Sequence, residues 1–276
     1  MEAGESASAF SLTPMQMAGD SMRGGSTGWL DWVGGAVAAA VLLGLLLPAL
    51  AQGRFESRKI ACQDQLRRLG TALTQFVTRS PQERLPAVSE SGPEAFAGVY
   101  TVRLNELGLL EDPELRWCPS LDKPIQREAT LTNLGEIVSV DALHHASVDR
   151  LQQIQRYAGG HYAYNLGVVE NDRLTPPRFE ARSSFAVMSD APLVGSANLA
   201  EVARVENLSD WLGHGGIGIN VLFEDGSVRF VPLESLRSMP DHPLVNHRGD
   251  VEAGVNIDDA SLAPSWQPPF IDVPQR

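Results

Sequence analysis

The segment from Val33 to Ala51 constrains this chain more than any other, because its nineteen consecutive residues carry no charge. As an α-helix that rises about 1.5 Å per residue, the segment is roughly 28 Å long, close to the thickness of the hydrocarbon core of a bilayer. A buried helix of a globular protein is usually shorter. The segment therefore predicts a membrane-spanning helix. The alternative is a secretory signal peptide that is cleaved after Ala49-Leu50-Ala51.

Charged residues and a proline mark this segment. Asp31 lies two residues before it, between two tryptophans, and Pro48 lies inside it, where the missing backbone N–H predicts a kink. The basic residues near its C-terminal end are Arg54, Arg58 and Lys59. The positive-inside rule, taken alone, places the part of the chain that follows these residues in the cytoplasm.

A helical stripe continues the apolar segment. Its apolar residues recur at spacings of four, three, four and three, namely Cys62, Leu66, Leu69, Leu73 and Phe76. This period predicts one long helix from about Trp29 to Thr78, apolar on all sides in its first half and amphipathic in its second. The small, polar and acidic residues 1–26 predict a disordered leader. The start of translation is either Met1 or Met22.

Composition excludes some classes of partner. The formal net charge is −12, and basic residues form only a short patch after the apolar segment, so we expect no nucleic-acid partner. Two cysteines are too few for a disulfide scaffold, and they form no Cys-x-x-Cys zinc pattern. On the outer side of a bacterial membrane, Cys62 and Cys118 could form one bridge. On the inner side they would remain two thiols.

Several shorter elements are predicted beyond the long helix. A short helix is expected near residues 104–110, a strand over residues 161–169, and a second strand that ends at Asp190. The chain from Pro240 onwards is rich in proline and predicts mostly irregular structure.

The segment Asn220–Val231 predicts a β-hairpin. Asp225-Gly226 is a strong signal for a two-residue turn, and such a turn pairs Phe223 with Val228 and Val221 with Phe230. This register places all four of these apolar side chains on one face of the hairpin.

Four stretches occur in a specific order, "GLLLPALAQGRFESRKIACQDQLRRLGTAL", "WCPS", "HYAYNLG" and "HGGIGINVLFEDGSVRFV". They resemble the motifs of type IV pilins and type II secretion pseudopilins, and most strongly a bacterial family with a prepilin-like N-terminus and a C-terminal His-x9-Asp-Gly signature. The resemblance covers about residues 28–231. It implies an α+β fold, in which a long N-terminal helix packs on an antiparallel β-sheet head.

The resemblance implies a role for Asp31, which precedes Pro48 by seventeen residues, as a glutamate precedes the helix-kinking proline of pilins. There the acid pairs with the freed N-terminal amine of a neighbouring subunit. Such pairing offsets a cost of about 2.5–3.5 kcal/mol for a carboxylate in the bilayer. The alternative is an ordinary acid that the helix dipole favours. The expected partners are the lipid bilayer and other copies or pseudopilin-like proteins.

The resemblance also implies where the head lies. It places the N-terminus inside and the head in the periplasm, outside the bacterial inner membrane, and it outweighs the positive-inside count because the basic residues belong to the matching motif. It further implies a disulfide between Cys62 and Cys118. A bridge that closes a loop of about 57 residues contributes roughly 4 kcal/mol in the chain-entropy model.

The chain departs from the family pattern in two places. The family's peptidase cuts after a glycine and before a bulky apolar residue, but alignment on Asp31 and Pro48 places that cut between Ser26 and Thr27. Processing of the leader therefore stays open. In addition, ten residues rather than nine separate His214 from Asp225.

The residues of the C-terminal signature are interpreted as structural. They are His214, Asn220, Asp225 and Gly226. A zinc site at His214 would need a third and a fourth ligand, which the sequence does not identify. No phosphate-binding loop, dinucleotide fingerprint or nucleophile elbow occurs in the sequence. We therefore expect no catalytic residue, metal or cofactor.

The sequence as a whole predicts a non-catalytic, pseudopilin-like assembly protein. One alternative is a monomeric anchored binding module that has lost prepilin processing, and another is a metal-dependent enzyme that uses His214. The predicted organisation is a leader at 1–26, a transmembrane and amphipathic helix at 27–80, an α+β head at 81–239 and an irregular tail at 240–276.

Overall fold

The computed structural model describes residues 29–110, 112–121, 133–190, 214–236 and 238–271. The chain divides into two compact units, Met1–Leu50 and Ala51–Arg276. The predicted leader, including Ser26 and both alternative start residues, lies outside the described residues, as does Thr27.

Helix α1 extends from Trp29 to Arg79 and confirms the predicted long helix. Within the first unit, its large apolar side chains from Trp32 to Leu50 are between 46% and 78% exposed. The helix is long and apolar enough to cross a membrane, a requirement that a signal sequence near the N-terminus also meets. It is compatible with a single-pass membrane protein. Pro48 lies inside α1, and the kink at this residue stays a prediction.

The amphipathic part of α1 belongs to the second unit and buries the predicted stripe. Cys62, Leu66, Leu69 and Leu73 are fully buried, and Phe76 is partly buried. The helix approaches the sheet closely, because a Cβ on Gly70 would lie 3.0 Å from a methyl group of Leu222. The Tyr162 hydroxyl also donates a hydrogen bond to Gln65 Oε1 at 2.7 Å. The stripe therefore packs against the central strands of the head.

Short helices follow α1 in the second unit. They are α2 (Val99–Glu106), a 3-10 helix (Pro113–Arg116), α3 (Val140–His144), α4 (Val148–Tyr157), a second 3-10 helix (His214–Gly216) and α5 (Leu233–Leu236). The predicted bounds of residues 104–110 for the first short helix are wrong at both ends, because α2 begins at Val99 and ends at Glu106. Gly108 has a φ of 63°, a left-handed conformation that commonly terminates a helix.

The main sheet has five antiparallel strands in the order β6-β5-β4-β1-β7. The strands are β1 (Tyr162–Asn165), β4 (Ala186–Asp190), β5 (Gly218–Phe223), β6 (Val228–Pro232) and β7 (Leu262–Ala263), and a separate hairpin holds β2 (Val168–Glu170) and β3 (Arg173–Thr175). The predicted strand that ends at Asp190 is confirmed as β4. The coarse α+β class is thereby confirmed, with β7 contributed by the proline-rich C-terminal region.

The single strand predicted over residues 161–169 is wrong, because this segment forms both β1 and β2. The break falls at Gly167, whose φ is 101° and whose N–H donates to Asn165 Oδ1 at 2.9 Å. This turn lets β1 join the main sheet while β2 pairs with β3.

The predicted register of the β5–β6 hairpin is also wrong, by one residue. Leu222 pairs with Val228 and Asn220 with Phe230, because three residues rather than two lie between Phe223 and Ser227, whose backbone hydrogen bond closes the loop. Its last residue, Gly226, has a φ of 81°, the arrangement of a type I turn closed by a glycine bulge. Since successive side chains alternate between faces, the shift places Phe230 on the face of Asn220.

Gly160 and Gly226 both have a positive φ, but only at Gly160 would a side chain also clash with the backbone. Substitutions at these two positions therefore distinguish backbone strain from a steric clash. Gly160 has a φ of 62°, and a Cβ there would lie 2.0 Å from the carbonyl oxygen of Arg116. Gly226 has a similar positive φ, but a Cβ there would meet nothing within 4 Å.

We expect Gly160→Ala to destabilise the head more than Gly226→Ala. The turn variant should lower the free energy of unfolding by about 1–2 kcal/mol, the cost of a left-handed alanine. Gly160→Ala should lower it by about 2–5 kcal/mol, because the methyl group must also displace backbone. Urea unfolding of both full-length variants in detergent, followed by circular dichroism, measures the difference. Equal losses would contradict the predicted clash.

Candidate functional site

A buried polar cluster lies where the amphipathic part of α1, the loop after Cys118 and strands β4 and β5 meet. Its central residues are Asp190, the last residue of β4, Asn220 in β5, and His214, which begins the 3-10 helix before β5. Each of these three residues is at most 3% exposed. Buried polar side chains need internal partners, so the hydrogen bonds of this cluster determine what it can do.

The carboxylate of Asp190 accepts three hydrogen bonds. The backbone N–H of Asn220 donates to Oδ1 at 2.7 Å, and the Asn220 side-chain Nδ2 donates to Oδ2 at 2.8 Å. His214 Nε2 donates to the same Oδ2 at 2.6 Å. Hydrogen bonds to an ionised oxygen are among the strongest in proteins, and here they replace the water that the carboxylate loses on burial.

Asn220 joins this carboxylate to α1. Its Oδ1 accepts a hydrogen bond from Gln63 Nε2 at 2.9 Å, while its Nδ2 donates to Asp190. Both ends of the amide are therefore used in a fixed orientation. The hydrogen bond between Gln63 and Asn220 links α1 to strand β5, although 157 residues separate the two in the sequence.

His214 uses both ring nitrogens. With the Nε2 proton directed at Asp190, Nδ1 accepts a hydrogen bond from the Ser120 hydroxyl at 3.0 Å, so the network assigns the tautomer. The rings of Phe55 and Phe230 stand edge-on to the imidazole, each with a centroid separation of 6.1 Å. The backbone φ of His214 is 58°, a left-handed conformation that costs about 1–3 kcal/mol and persists only where the surroundings hold it.

A disulfide between Cys62 and Cys118 closes one side of the cluster and confirms the bridge that the resemblance implied. Their Cα atoms are 5.2 Å apart, within the usual range for a disulfide. Cys62 Sγ lies 3.7 Å from Ser120 Oγ, so the bridge is adjacent to the histidine's hydrogen-bond chain.

Arg116 holds the loop that carries Cys118 and Ser120. Its guanidinium donates to the backbone carbonyls of Ala158 at 3.3 Å and Glu136 at 3.0 Å, and also to that of Leu134. Burial lowers the pKa of Arg116 to about 10, which leaves the side chain charged at neutral pH. A positive charge with several carbonyl acceptors fixes this loop without a regular strand.

The cluster contains groups that are used in catalysis elsewhere. Ser120, His214 and Asp190 are hydrogen-bonded in series, as the members of a hydrolase triad are. The imidazole side chain has no exposed surface, however, so a substrate cannot reach Nδ1 without rearrangement. A structural role for the series agrees with this burial.

The structure brings together four of the residues singled out in the sequence, Cys62, Cys118, His214 and Asn220. The other two signature residues lie in the β5–β6 turn, where Asp225 Oδ1 accepts hydrogen bonds from the Ser227 N–H and hydroxyl. The Ser227 hydroxyl lowers the pKa of Asp225. Asp31 and Pro48 lie in the first unit, and the side chain of Asp31 is outside the described part.

Sequence reasoning missed Asp190, Ser120 and Gln63 as site residues. Asp190 offered one signal, because it is an acid at the end of an otherwise apolar strand. The other two are common residue types on a helix and in a loop, and only tertiary contacts distinguish them.

Comparison of the chain with protein-family profiles, with curated proteins and with solved structures found no match. The likeness to pilins and pseudopilins therefore rests on the sequence motifs.

A second polar cluster connects the C-terminal loops through hydrogen bonds. The buried carboxylate of Asp259 accepts the backbone N–H groups of His247 at 3.0 Å and Val255 at 2.7 Å, and Asp241 accepts that of Ala260. Burial, together with the charge of Asp259, raises the pKa of Asp241 to about 6. An acid whose pKa is raised by folding destabilises the folded state once it ionises.

We expect Asp190→Asn to destabilise the head by about 2–4 kcal/mol. The amide retains one acceptor and turns an NH2 group towards one of the three donors, which leaves a buried donor unpaired. Urea unfolding of the full-length protein in detergent measures this loss. Asp141→Asn is the matched control, since Asp141 is 85% exposed and should change stability by less than about 0.5 kcal/mol. A loss for Asp190→Asn as small as that of the control would contradict the network.

We expect Asp241→Asn to stabilise the protein at pH 7.5 and to have little effect at pH 4. The folded state binds the Asp241 proton more tightly than the unfolded state, so this stabilising contribution is present at pH 4 and is lost as the pH rises through about 6. The asparagine variant avoids that loss. Thermal unfolding between pH 4 and 8 measures the effect, with the exposed Asp250→Asn as control. A gain that does not depend on pH would contradict the assignment to Asp241.

Proposed function

We propose that this protein is a membrane-anchored, pseudopilin-like assembly protein whose head is displayed outside the cytoplasmic membrane and performs no chemistry. The observation that carries the proposal is α1, one uninterrupted helix from Trp29 to Arg79. Its first part exposes large apolar side chains on all sides, and its second part buries a single stripe in the head. Such a helix needs lipid or other helices around its first part.

The anchor has the composition of an assembling helix. Gly34 and Gly35 begin a run of small residues, which allow the backbones of transmembrane helices to approach closely. Asp31 adds a carboxylate near the start of this segment. An ionised side chain in a bilayer is costly unless a group of opposite charge pairs with it. The free N-terminal amine of a second copy is the partner that the pilin resemblance suggests, and the seventeen-residue step to Pro48 supports it.

The disulfide supports an extracytoplasmic head. Disulfides persist in oxidising compartments and are rare in the cytoplasm. The Cys62–Cys118 bridge therefore weighs against the positive-inside count of Arg54, Arg58 and Lys59.

The buried cluster supports a head without catalysis. Asp190, Asn220 and His214 form hydrogen bonds with one another, and their side chains are inaccessible. Their hydrogen bonds hold α1, the Cys118 loop and the sheet in one arrangement, which is the property that a displayed or assembling head requires.

The test is the self-association of the full-length protein in membranes. We expect Asp31→Ala to weaken association at least about 10-fold, equivalent to about 1.4 kcal/mol, because the paired charge is lost. Asp64→Ala is the matched control on the same helix, as Asp64 is 73% exposed in the second unit. Energy transfer between labelled copies at graded protein-to-lipid ratios measures the change. Association that is absent in the wild type, or equal in both variants, contradicts the proposal.

The alternative is a monomeric anchored module whose head binds an unidentified ligand. It is favoured by the residues at the expected cut, Ser26 and Thr27, which do not fit the prepilin peptidase. Mass spectrometry of the N-terminus from the membrane fraction distinguishes the two. A processed, N-methylated residue near Thr27 supports assembly, and an intact leader supports the alternative.

A further inference from the structure

Four side chains around the disulfide carry atoms that could together ligate a metal ion. Cys62 on α1, Cys118 in its loop, Asp190 at the end of β4 and His214 before β5 each bring one potential ligand atom, and these four atoms lie within 4.8 Å of one another. All four residues are buried. Of these four residues, sequence analysis considered His214 as a metal ligand, and the fold brings the other three to it.

The chemistry of these donors is that of zinc. Thiolate, imidazole and carboxylate are its common protein ligands, and structural zinc sites are four-coordinate and closed to solvent. Sulfur ligands also disfavour the hard cations calcium and magnesium, which prefer oxygen. Burial and a two-sulfur donor set therefore indicate a structural site of the zinc class rather than a catalytic one.

The position of His214 suits a metal ligand. Its Nε2 lies 2.6 Å from Asp190 Oδ2, so one cation between these two atoms and the cysteine sulfurs can contact both side chains. In the metal-bound state Nδ1 carries the ring proton and donates to the Ser120 hydroxyl, 3.0 Å away, and metal-bound histidines almost always make such a hydrogen bond with their other nitrogen. The ring is therefore already oriented without a metal.

The geometry points to a second state of the head, in which Cys62, Cys118, His214 and Asp190 hold one zinc-class divalent cation in place of the disulfide. The two states are mutually exclusive, because disulfide sulfurs are not thiolates. A dithiol reductant supplies two electrons, which convert the disulfide into two thiols while the dithiol becomes a disulfide. The cation then binds both sulfurs, and the two thiol protons are released to solvent.

This inference does not depend on assembly or on display outside the membrane. In an oxidising compartment the four residues cross-link α1 to the Cys118 loop through sulfur. In a reducing compartment the same residues do so through the metal. A disulfide between Cys62 and Cys118 therefore indicates a head that folds in an oxidising compartment, and a bound metal indicates a head that folds in a reducing one.

The experiment compares one polypeptide in two redox states. Because both sulfurs are buried, the full-length protein in detergent is reduced with a dithiol in urea and then diluted into oxygen-free buffer with or without Zn²⁺. Mass spectrometry after alkylation counts the thiols. We expect one Zn²⁺ per reduced chain and none per oxidised chain. At 100 times the dissociation constant, Zn²⁺ should shift the unfolding equilibrium of the reduced chain about 100-fold.

Cobalt and three variants identify the ligands. Co²⁺ in the reduced wild type should give sulfur-to-metal charge-transfer absorption, which Cys62→Ser/Cys118→Ser removes together with every thiol of the chain. His214→Ala and Asp190→Asn should lower Zn²⁺ affinity by at least about 10-fold. His145→Ala is the matched control, since that histidine is 76% exposed and should bind Zn²⁺ as the wild type does.

Three outcomes overturn the inference. The first is Zn²⁺ binding that persists in the double-serine variant, which would place the ion elsewhere, for example at Asp241, His247 and Asp259. The second is binding by the oxidised chain with equal affinity. The third is a reduced wild-type chain that fails to regain its folded circular dichroism spectrum with Zn²⁺ present, because the metal would then not replace the disulfide.

Discussion

The arrangement of the head depends on the buried carboxylate of Asp190. A carboxylate removed from water must be compensated by donors, and these donors come from β5 and from the 3-10 helix that precedes it. Both donor residues, Asn220 and His214, continue the network outwards. Asn220 accepts from Gln63 on α1, and His214 accepts from Ser120 in the Cys118 loop. One charge thereby fixes the relative position of a helix, a loop and two strands.

The disulfide and the apolar stripe act on the same interface. Cys62 belongs both to the stripe and to the bridge, so the covalent link forms where α1 is already packed on the head. The hydrogen-bond network restricts the relative orientation of α1 and the sheet more than apolar packing does. The reason is that an amide and a carboxylate can form hydrogen bonds with each other in only a few orientations.

Helix α1 combines two different side-chain patterns in one secondary structure. Residues up to Leu50 satisfy their backbone groups internally and present apolar side chains on every side, as a bilayer requires. Residues from Ala51 onwards keep the helix but restrict apolar side chains to one stripe. The change in side-chain pattern, without a change in secondary structure, gives one helix a first part that is long and apolar enough to cross a membrane and a second part that belongs to the core of the head.

Features that depend on neighbours in sequence could be predicted well. The bounds of α1 and its buried stripe follow from helical periodicity, and β4 follows from a short apolar run that ends at Asp190. Three errors in short elements fall at a glycine whose positive φ the sequence alone does not reveal, whereas the early start of α2 at Val99 has no such signal. Gly108 ended α2 early, Gly167 divided one predicted strand into two, and Gly226 shifted the hairpin by one residue.

The polar cluster was decided by the tertiary structure. The sequence by itself determined an apolar helix, an amphipathic continuation and several elements of an α+β head, because hydrophobic periodicity is a local property. It did not bring Ser120 to His214 across 94 residues, or Gln63 to Asn220 across 157. Such contacts depend on where the sheet and α1 meet, and that position is set by the packing of the whole core.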